Sequence, residues 1–323
     1  MANQLTAYQN FMDLAIEEFK LPTSPAQLYE PITYFLSIGG KRMRPILTLM
    51  GSELFSGDYR RAKHASLAVE LFHNFTLIHD DIMDAAPLRR GKETVHSKWG
   101  ENIAILSGDT LLIEAYKQLN HYPSELLGKL ISVFNQTAIE VCEGQQMDMD
   151  YETATNVTID QYVQMIAFKT AVLLGCSLKM GAIIGGASES DAQDLYDFGI
   201  NLGLAFQIQD DILDVYADIN KFGKQVGGDI LANKKTYLLL RALEDADASQ
   251  KEKFQQLFSE RDQQLKIEGV KMLYSALDIE NKAIEKMNYY HDLAIEKLNH
   301  ISLPSEKKQP LYDLADFLLR REH

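Results

Sequence analysis

The sequence predicts an all-α protein, and three observations carry that expectation. Apolar residues recur at helical spacing through long segments. The breaks between them fall at Gly, Pro and capping residues. No stretch alternates apolar and polar side chains as a half-buried strand would. Of the 323 residues 46% are hydrophobic, enough for a substantial core, and no tandem repeat or low-complexity tract interrupts them. Residues 1–323 therefore read as a single domain.

Composition excludes several roles. With 46 acidic against 32 basic residues the net charge is −14, which disfavours binding to nucleic acid or an anionic membrane and fits a soluble cytoplasmic protein. The first residues, MANQLTAYQNFMDLAIEEF, have neither the basic start nor the continuous apolar core of a signal peptide, and no run reads as a membrane span. Cys142 and Cys176 have no ligand spacing and form no disulfide framework, so they read as buried, reduced thiols.

In chain order, helices are expected over about 5–20 and 24–37, separated by Leu21-Pro22-Thr23-Ser24-Pro25. The loop Gly39-Gly40-Lys41-Arg42-Met43-Arg44-Pro45 then places three cations before a helix from Ile46 to about Phe55. A helix N-terminus behind basic side chains suits an anion, although an exposed basic turn looks the same in sequence. A helix over about 60–84, apolar at Leu67, Leu71, Phe75 and Ile78, ends in acidic residues, and Leu88-Arg89-Arg90-Gly91-Lys92 returns positive charge immediately. Helices follow at about 101–119, 124–149 and 159–185, the last interrupted near Phe168-Lys169-Thr170. Another spans 189–217. Beyond it come the basic loop from Lys221 to Asp229, with Lys224, and the segment Asn233-Lys234-Lys235-Thr236-Tyr237, which opens a Leu-rich helix. Three more helices are expected over about 249–322.

The chemistry lies in a repeated spacing. Asp80, Asp81 and Asp84 fall within about 100° of one another on a helix. Asp210, Asp211 and Asp214 repeat the pattern 130 residues later, inside another apolar helical segment. Like charges this close disfavour the helix that carries them unless cations intervene, and hard oxygen ligands suit Mg²⁺ with phosphate completing its shell. Two such clusters, each followed by a cationic loop, fit the holding of a diphosphate while its carbon–oxygen bond breaks. The developing negative charge is then neutralised, and the allylic cation needs apolar shelter from water.

The ordered set Gly-Gly-Lys-Arg-x-Arg-Pro, Asp-Asp-x-x-Asp, Leu-Arg-Arg-Gly, Lys-Thr, Phe-Gln-x-x-Asp-Asp-x-x-Asp and Gly-Lys-x-x-Gly-x-Asp closely resembles the trans-isoprenyl diphosphate synthases, or polyprenyl synthetases, over about residues 39–237. The resemblance implies an all-helical bundle around a deep central cavity, usually a homodimer. It implies that Asp80, Asp81 and Asp84 face Asp210, Asp211 and Asp214 with three Mg²⁺ held against the allylic diphosphate. By the same carry-over Arg89, Lys169, Thr170, Gln207, Lys224 and Lys234 serve the allylic substrate, and Lys41, Arg44, His73 and Arg90 bind isopentenyl diphosphate.

The implied reaction is ionisation, attack by the isopentenyl double bond and loss of a proton, with no protein general base in evidence. Phe75 and Phe72, five and eight residues before Asp80, lie roughly 7.5 and 12 Å along the helix from the metal end. In the resembling family an aromatic at the fifth position stops the chain. With Thr76 at the fourth, geranylgeranyl diphosphate is favoured over farnesyl diphosphate; the competing view is that both rings are ordinary core residues. Three further alternatives are a class I terpene cyclase, a non-catalytic partner subunit and a helical scaffold with decorative acidic faces. The first needs no second diphosphate site, the second commonly lacks one acidic cluster, and the third needs no glycines beside its cationic loops.

Overall fold

Helices make up almost all of the structure, a computed structural model that describes residues 2–217 and 227–319. The chain forms two compact units, Met1–Asn135 with Cys176–Tyr196 and Gln136–Gly175 with Asp197–His323.

The first unit opens with α1 (Ala2–Glu18), α2 (Ala26–Ser37) and α3 (Met43–Ser56). A 3₁₀ turn, Tyr59–Ala62, then leads into α4 (Lys63–Met83). The single helix expected over about 60–84 is thus two elements, because Asp58 accepts a hydrogen bond from the Arg60 amide at 3.1 Å and closes a separate turn. From Ala65 to Phe72 every residue of α4 is buried. Beyond that only Asn74, Phe75, Ile78 and Asp81 are. The buried surface narrows from the full circumference to one stripe, so α4 leaves the core as it reaches the acidic cluster. Burial of Leu67, Leu71, Phe72 and Ile78 contributes about 1.5–3 kcal/mol each. The principal partner of α4 is α6 (Glu101–Leu119), with α3 next and the short α5 (Val95–Trp99) beside it.

Between α4 and α5 the chain makes a two-stranded antiparallel hairpin, β1 (Leu88–Arg89) with β2 (Lys92–Glu93). This corrects the expectation of a plain loop. Two residues per strand are too few for alternation to register, and the signal lay in the turn, where Arg90 and Gly91 have φ of 53° and 73°. Positive φ at both central positions is the turn geometry that matches strand twist. Thr94 secures the hairpin base, its Oγ1 donating to the Ala86 carbonyl at 2.8 Å.

The second unit takes the latter part of α7 (Ser124–Thr153), α8 (Ile159–Ile166), the start of α9 (Val172–Gly185) and most of α10 (Glu189–Tyr216). The helices Gly228–Leu231, Tyr237–Asp245, Ala248–Phe258, Gln263–Ala276, Ile279–His300 and Ser305–Leu319 complete it. Its core gathers Tyr162, Leu204, Ile208, Ile212, Leu238, Phe254 and Tyr274. From residue 248 on, the described residues form four helices where three were expected. Asp247 and Asp262 accept hydrogen bonds from amides two or three residues on, and each starts a fresh helix.

Two further expectations change. Cys142 is exposed, and only Cys176 is buried. The segment Ile159–Gly185 is long and apolar enough to cross a membrane, contrary to the reading that no run is, because its Leu, Ile, Val and Ala residues outweigh three scattered charges, Asp160, Lys169 and Lys179. Of its most apolar window 61% is buried inside the protein, as in a core helix.

Candidate active site

The Gly39–Arg44 loop separates its cations by function. Arg42 turns inward: its Nη1 donates to the Glu70 carboxylate of α4 and its Nη2 to the Leu36 carbonyl at 2.9 Å. It is 7% exposed and sits in the left-handed region at φ 50°, just before α3. Arg44 instead places Nη1 3.1 Å from His73 Nε2. A guanidinium has no acceptor, so Nε2 accepts and the imidazole is the Nδ1–H tautomer. Burial, followed by the charges of Arg44, Arg90, Arg89 and Arg42, holds the His73 pKa well below its ordinary value. Desolvation also lowers Arg44, to about 10. Arg90 leans across Gly40, where an added Cβ would lie 2.4 Å from its Nη1. Three of the four residues expected to bind isopentenyl diphosphate, Arg44, His73 and Arg90, are thus brought together, and Lys41 is exposed on the same loop.

At the end of α4 the aspartates differ in setting. Asp81 is 1% exposed, and its Oδ1 accepts from Arg89 Nε at 2.8 Å and pairs with Nη2 at 2.7 Å. Its Oδ2 is buried without a hydrogen-bond partner among the described residues. Asp80 lies 3.6 Å from Arg89 Nη2, and Asp84 is exposed at the helix end. The hairpin therefore presses Arg89 onto the cluster and offsets repulsion that the helix dipole would worsen. Among the described residues no three His, Cys, Asp or Glu side chains converge as a ready-made metal-ligand group. The donor set nevertheless fits Mg²⁺, because carboxylate oxygens are hard ligands and one of them is buried with no partner.

In the second unit the aspartates again differ. Asp210 is exposed; Asp211 is 8% exposed and its Oδ2 accepts from Tyr162 Oη at 2.6 Å and from the Tyr237 amide at 3.0 Å. Asp214 accepts from the Asp229 amide at 3.0 Å. Gln207, one turn before Asp211, is half-buried. The interruption expected near Lys169 is a π turn, Ala167–Ala171, holding Lys169 and Thr170. Lys169 Nζ donates to the Asp148 carboxylate. The turn lies against Gly144, where a Cβ would meet the Lys169 amide nitrogen at 2.2 Å. Lys234 is exposed, with its amide on the Asp229 carbonyl at 2.9 Å. Lys224 lies outside the described residues.

The aromatic pair of α4 divides similarly. Phe72, 1% exposed, packs edge-on against Phe134 at 5.2 Å. Phe75, 9% exposed, meets Phe72 at 5.6 Å and His79 at 4.8 Å. Thr76 Oγ1 donates to the His73 carbonyl at 2.8 Å.

A family model described as polyprenyl synthetase matches residues 25–277. The chain belongs to that family. This polyprenyl synthetase is 38% identical over 313 residues to a geranylgeranyl pyrophosphate synthase of Geoglobus acetivorans, covering 95% of both chains. Among solved structures it is similar to a geranylgeranyl pyrophosphate synthetase from Pyrococcus horikoshii, with a TM-score of 0.92, 36% identity and 99% of each chain covered. A second geranylgeranyl pyrophosphate synthase structure gives a TM-score of 0.91 at 43% identity, covering 100% of this chain and 99% of that one. The polyprenyl synthetase is a prenyltransferase with an all-α fold.

Sequence reasoning missed three residues around the polyprenyl synthetase motifs: Asp148, Tyr162 and Glu70. Asp148 had a signal, standing four residues after Gly144 in an acidic run; Glu70 is one carboxylate in an apolar stretch and Tyr162 one aromatic of an amphipathic helix, and neither falls in a motif. Tyr162 bears on Asp211, whose carboxyl burial drives up to about 7 against the hydrogen bonds from Tyr162 and Tyr237. The folded protein thus holds a proton that the unfolded chain releases near the ordinary carboxylate value. Its contribution to stability is complete below that value and is lost as pH rises through about 7. Without divalent cations, urea unfolding of the parent should show stability falling between pH 5 and 8 more steeply than in Asp211→Asn. Parallel profiles for the two proteins would contradict the buried-carboxyl account.

Proposed function

We propose that this prenyltransferase condenses isopentenyl diphosphate with an allylic diphosphate (dimethylallyl, geranyl or farnesyl) and releases mainly geranylgeranyl diphosphate. The observation that carries the proposal is the setting of Arg44 and Arg90: Arg44 Nη1 stands 3.1 Å from His73 Nε2, and the Arg90 guanidinium lies against Gly40 of the same loop. Two such cations call for an anion, since the Arg42 charge is already matched by Glu70 and that of Arg89 by Asp81. A terpene cyclase has no use for a second diphosphate site of this kind. The names of the relatives support the same reading.

In the mechanism, Lys41, Arg44, His73 and Arg90 hold the isopentenyl diphosphate. Arg89, Lys169, Gln207, Lys224 and Lys234 orient the allylic diphosphate, and Thr170 lies beside Lys169 near the developing cation. Asp80, Asp81 and Asp84, and likewise Asp210, Asp211 and Asp214, would hold Mg²⁺, three ions in the full complement, whose charge would offset that of the departing diphosphate. His73 stays neutral and so leaves the positive potential to the arginines. Apolar side chains keep water from the allylic cation, and the departing diphosphate takes the proton.

The working form is proposed to be a cytoplasmic homodimer. Ile105, Leu106 and Ile113 on α6 are 42%, 57% and 60% exposed, an apolar stripe of the sort a second copy would cover.

The test is purified protein with Mg²⁺, labelled isopentenyl diphosphate and each primer in turn, products being sized after dephosphorylation. Twenty-carbon product supports the reading. A fifteen-carbon end point would make it a farnesyl diphosphate synthase, and no condensation at all would overturn it. Phe75 is proposed to stop the chain, with Phe72 behind it. Phe75→Ala opens room for roughly one isoprene unit, so products should lengthen by one or more five-carbon steps. An unchanged distribution from an active variant would locate the stop elsewhere.

A further inference from the structure

We infer that His79 is a specificity-determining strut: wedged between α4 and α6, it fixes the position of Phe75 and so the length of the product. The inference rests on the reading of Phe75 as the residue that stops the chain.

His79 lies one turn beyond Phe75 on α4, on the same side of the helix, and the two rings meet edge to face at 4.8 Å and 69°. Phe72 stands at 5.6 Å from Phe75 and is itself backed by Phe134. Phe75 is therefore held by a fully buried pair on one contact and by a histidine on the other. The histidine is tethered in turn. Its Nε2 lies 3.2 Å from the Ile105 carbonyl of α6, and because a carbonyl only accepts, Nε2 carries the hydrogen. Asp109 Oδ1 stands 3.9 Å from the same nitrogen.

Gly108 makes the room. A Cβ there would fall 2.3 Å from Nε2 and 2.6 Å from Cδ2 of His79, closer than atoms approach, so the ring occupies a notch that only glycine leaves in α6. The ring cannot swing away without giving up its hydrogen bond, and it cannot stay if the notch is filled. Its bond points to α6, away from any part in proton transfer, and its contact with Phe75 is purely one of packing. Product length is then set by three residues on two helices, of which only Phe75 stands at a position the sequence motif marks.

The experiment sizes products from labelled isopentenyl diphosphate and a dimethylallyl primer for the parent and for Phe75→Ala, His79→Ala, His79→Gln, Gly108→Ala and the Gly108→Ala/His79→Ala pair, each checked for fold by circular dichroism. His79→Ala should lengthen the main product by at least one five-carbon unit. His79→Gln, which keeps an N–H for the Ile105 carbonyl, should stay at the parent length. Gly108→Ala should shift the distribution, and the shift should vanish in the His79→Ala background, where no ring is left to displace. If Phe75→Ala lengthens products and His79→Ala does not, the strut is overturned while Phe75 remains the stop. If Phe75→Ala changes nothing, the stop is wrong and the strut falls with it. Should His79→Ala fail to fold, parent-length products from folded Gly108→Ala overturn the inference.

Discussion

Asp80→Ala and Asp210→Ala are each expected to lower turnover by about 10²–10⁴-fold while leaving the helical circular dichroism signal intact. Neither side chain contributes much to the core: Asp80 touches Arg89 from 3.6 Å and Asp210 is exposed. Asp81 and Asp211, by contrast, are tied to Arg89 and to Tyr162 with the Tyr237 amide. Loss of one hard ligand removes several kcal/mol of transition-state charge stabilisation, and each 1.36 kcal/mol is a factor of ten in rate. Removing one charge from a repulsive group should leave thermal stability unchanged or slightly raised. Near-parental turnover by either folded variant at saturating Mg²⁺ would sink the metal assignment.

Glu70→Ala is expected to cost about 3–5 kcal/mol of stability, because it strands a buried guanidinium. Arg42 and Glu70 have 4% and 5% of their side chains exposed, and Glu70 also accepts from Asn74 Nδ2 at 2.8 Å. A loss of that size is a large part of the total stability of a typical domain. The effect should reach the substrate loop. Arg42 is held in a left-handed conformation just before α3, between Lys41 and Arg44, so loss of its anchor should also raise the KM for isopentenyl diphosphate. Arg42→Met with Glu70→Leu, which removes both charges together, should destabilise less than either single change to alanine. Urea midpoints within experimental error of the parent for Glu70→Ala would show that the pair does not hold the loop.

The residues that carry charge at fixed local spacing were legible in the sequence. Two Asp-Asp-x-x-Asp groups on apolar helices, and a break at Lys169, need nothing beyond helical geometry to be seen. Arg42 and Arg44 show where such reading stops. They stand two apart in one loop, and which of them turns inward depends on Glu70, 28 residues away on another helix. Asp80 and Asp81 are a similar case, chemically identical neighbours of which one is buried because the hairpin returns Arg89 to it. That hairpin escaped notice because its strands hold two residues each and its turn, Arg-Gly, lacks the Asn-Gly or Asp-Gly pair that usually marks one. Nothing in the sequence sets His79 apart from its neighbours, and only the fold shows that its ring belongs to the α4–α6 packing through Gly108.

The π turn at Ala167–Ala171 has a consequence for how this stretch can vary over time. Such a turn accommodates one residue more than a regular helix would, so helical phase is broken there and restored beyond it. A single-residue deletion between 167 and 171 would turn the wide turn into regular helix and leave the faces of α8 and α9 in phase, so Tyr162 would keep its place against Asp211. What it would take away is the local widening that lays the Lys169 backbone against Gly144 and holds Lys169 on Asp148. The same deletion in α8 proper would instead rotate every residue before it by about 100°. Shortening inside the turn is therefore borne by the fold and felt at the site, whereas shortening outside it is felt by the fold.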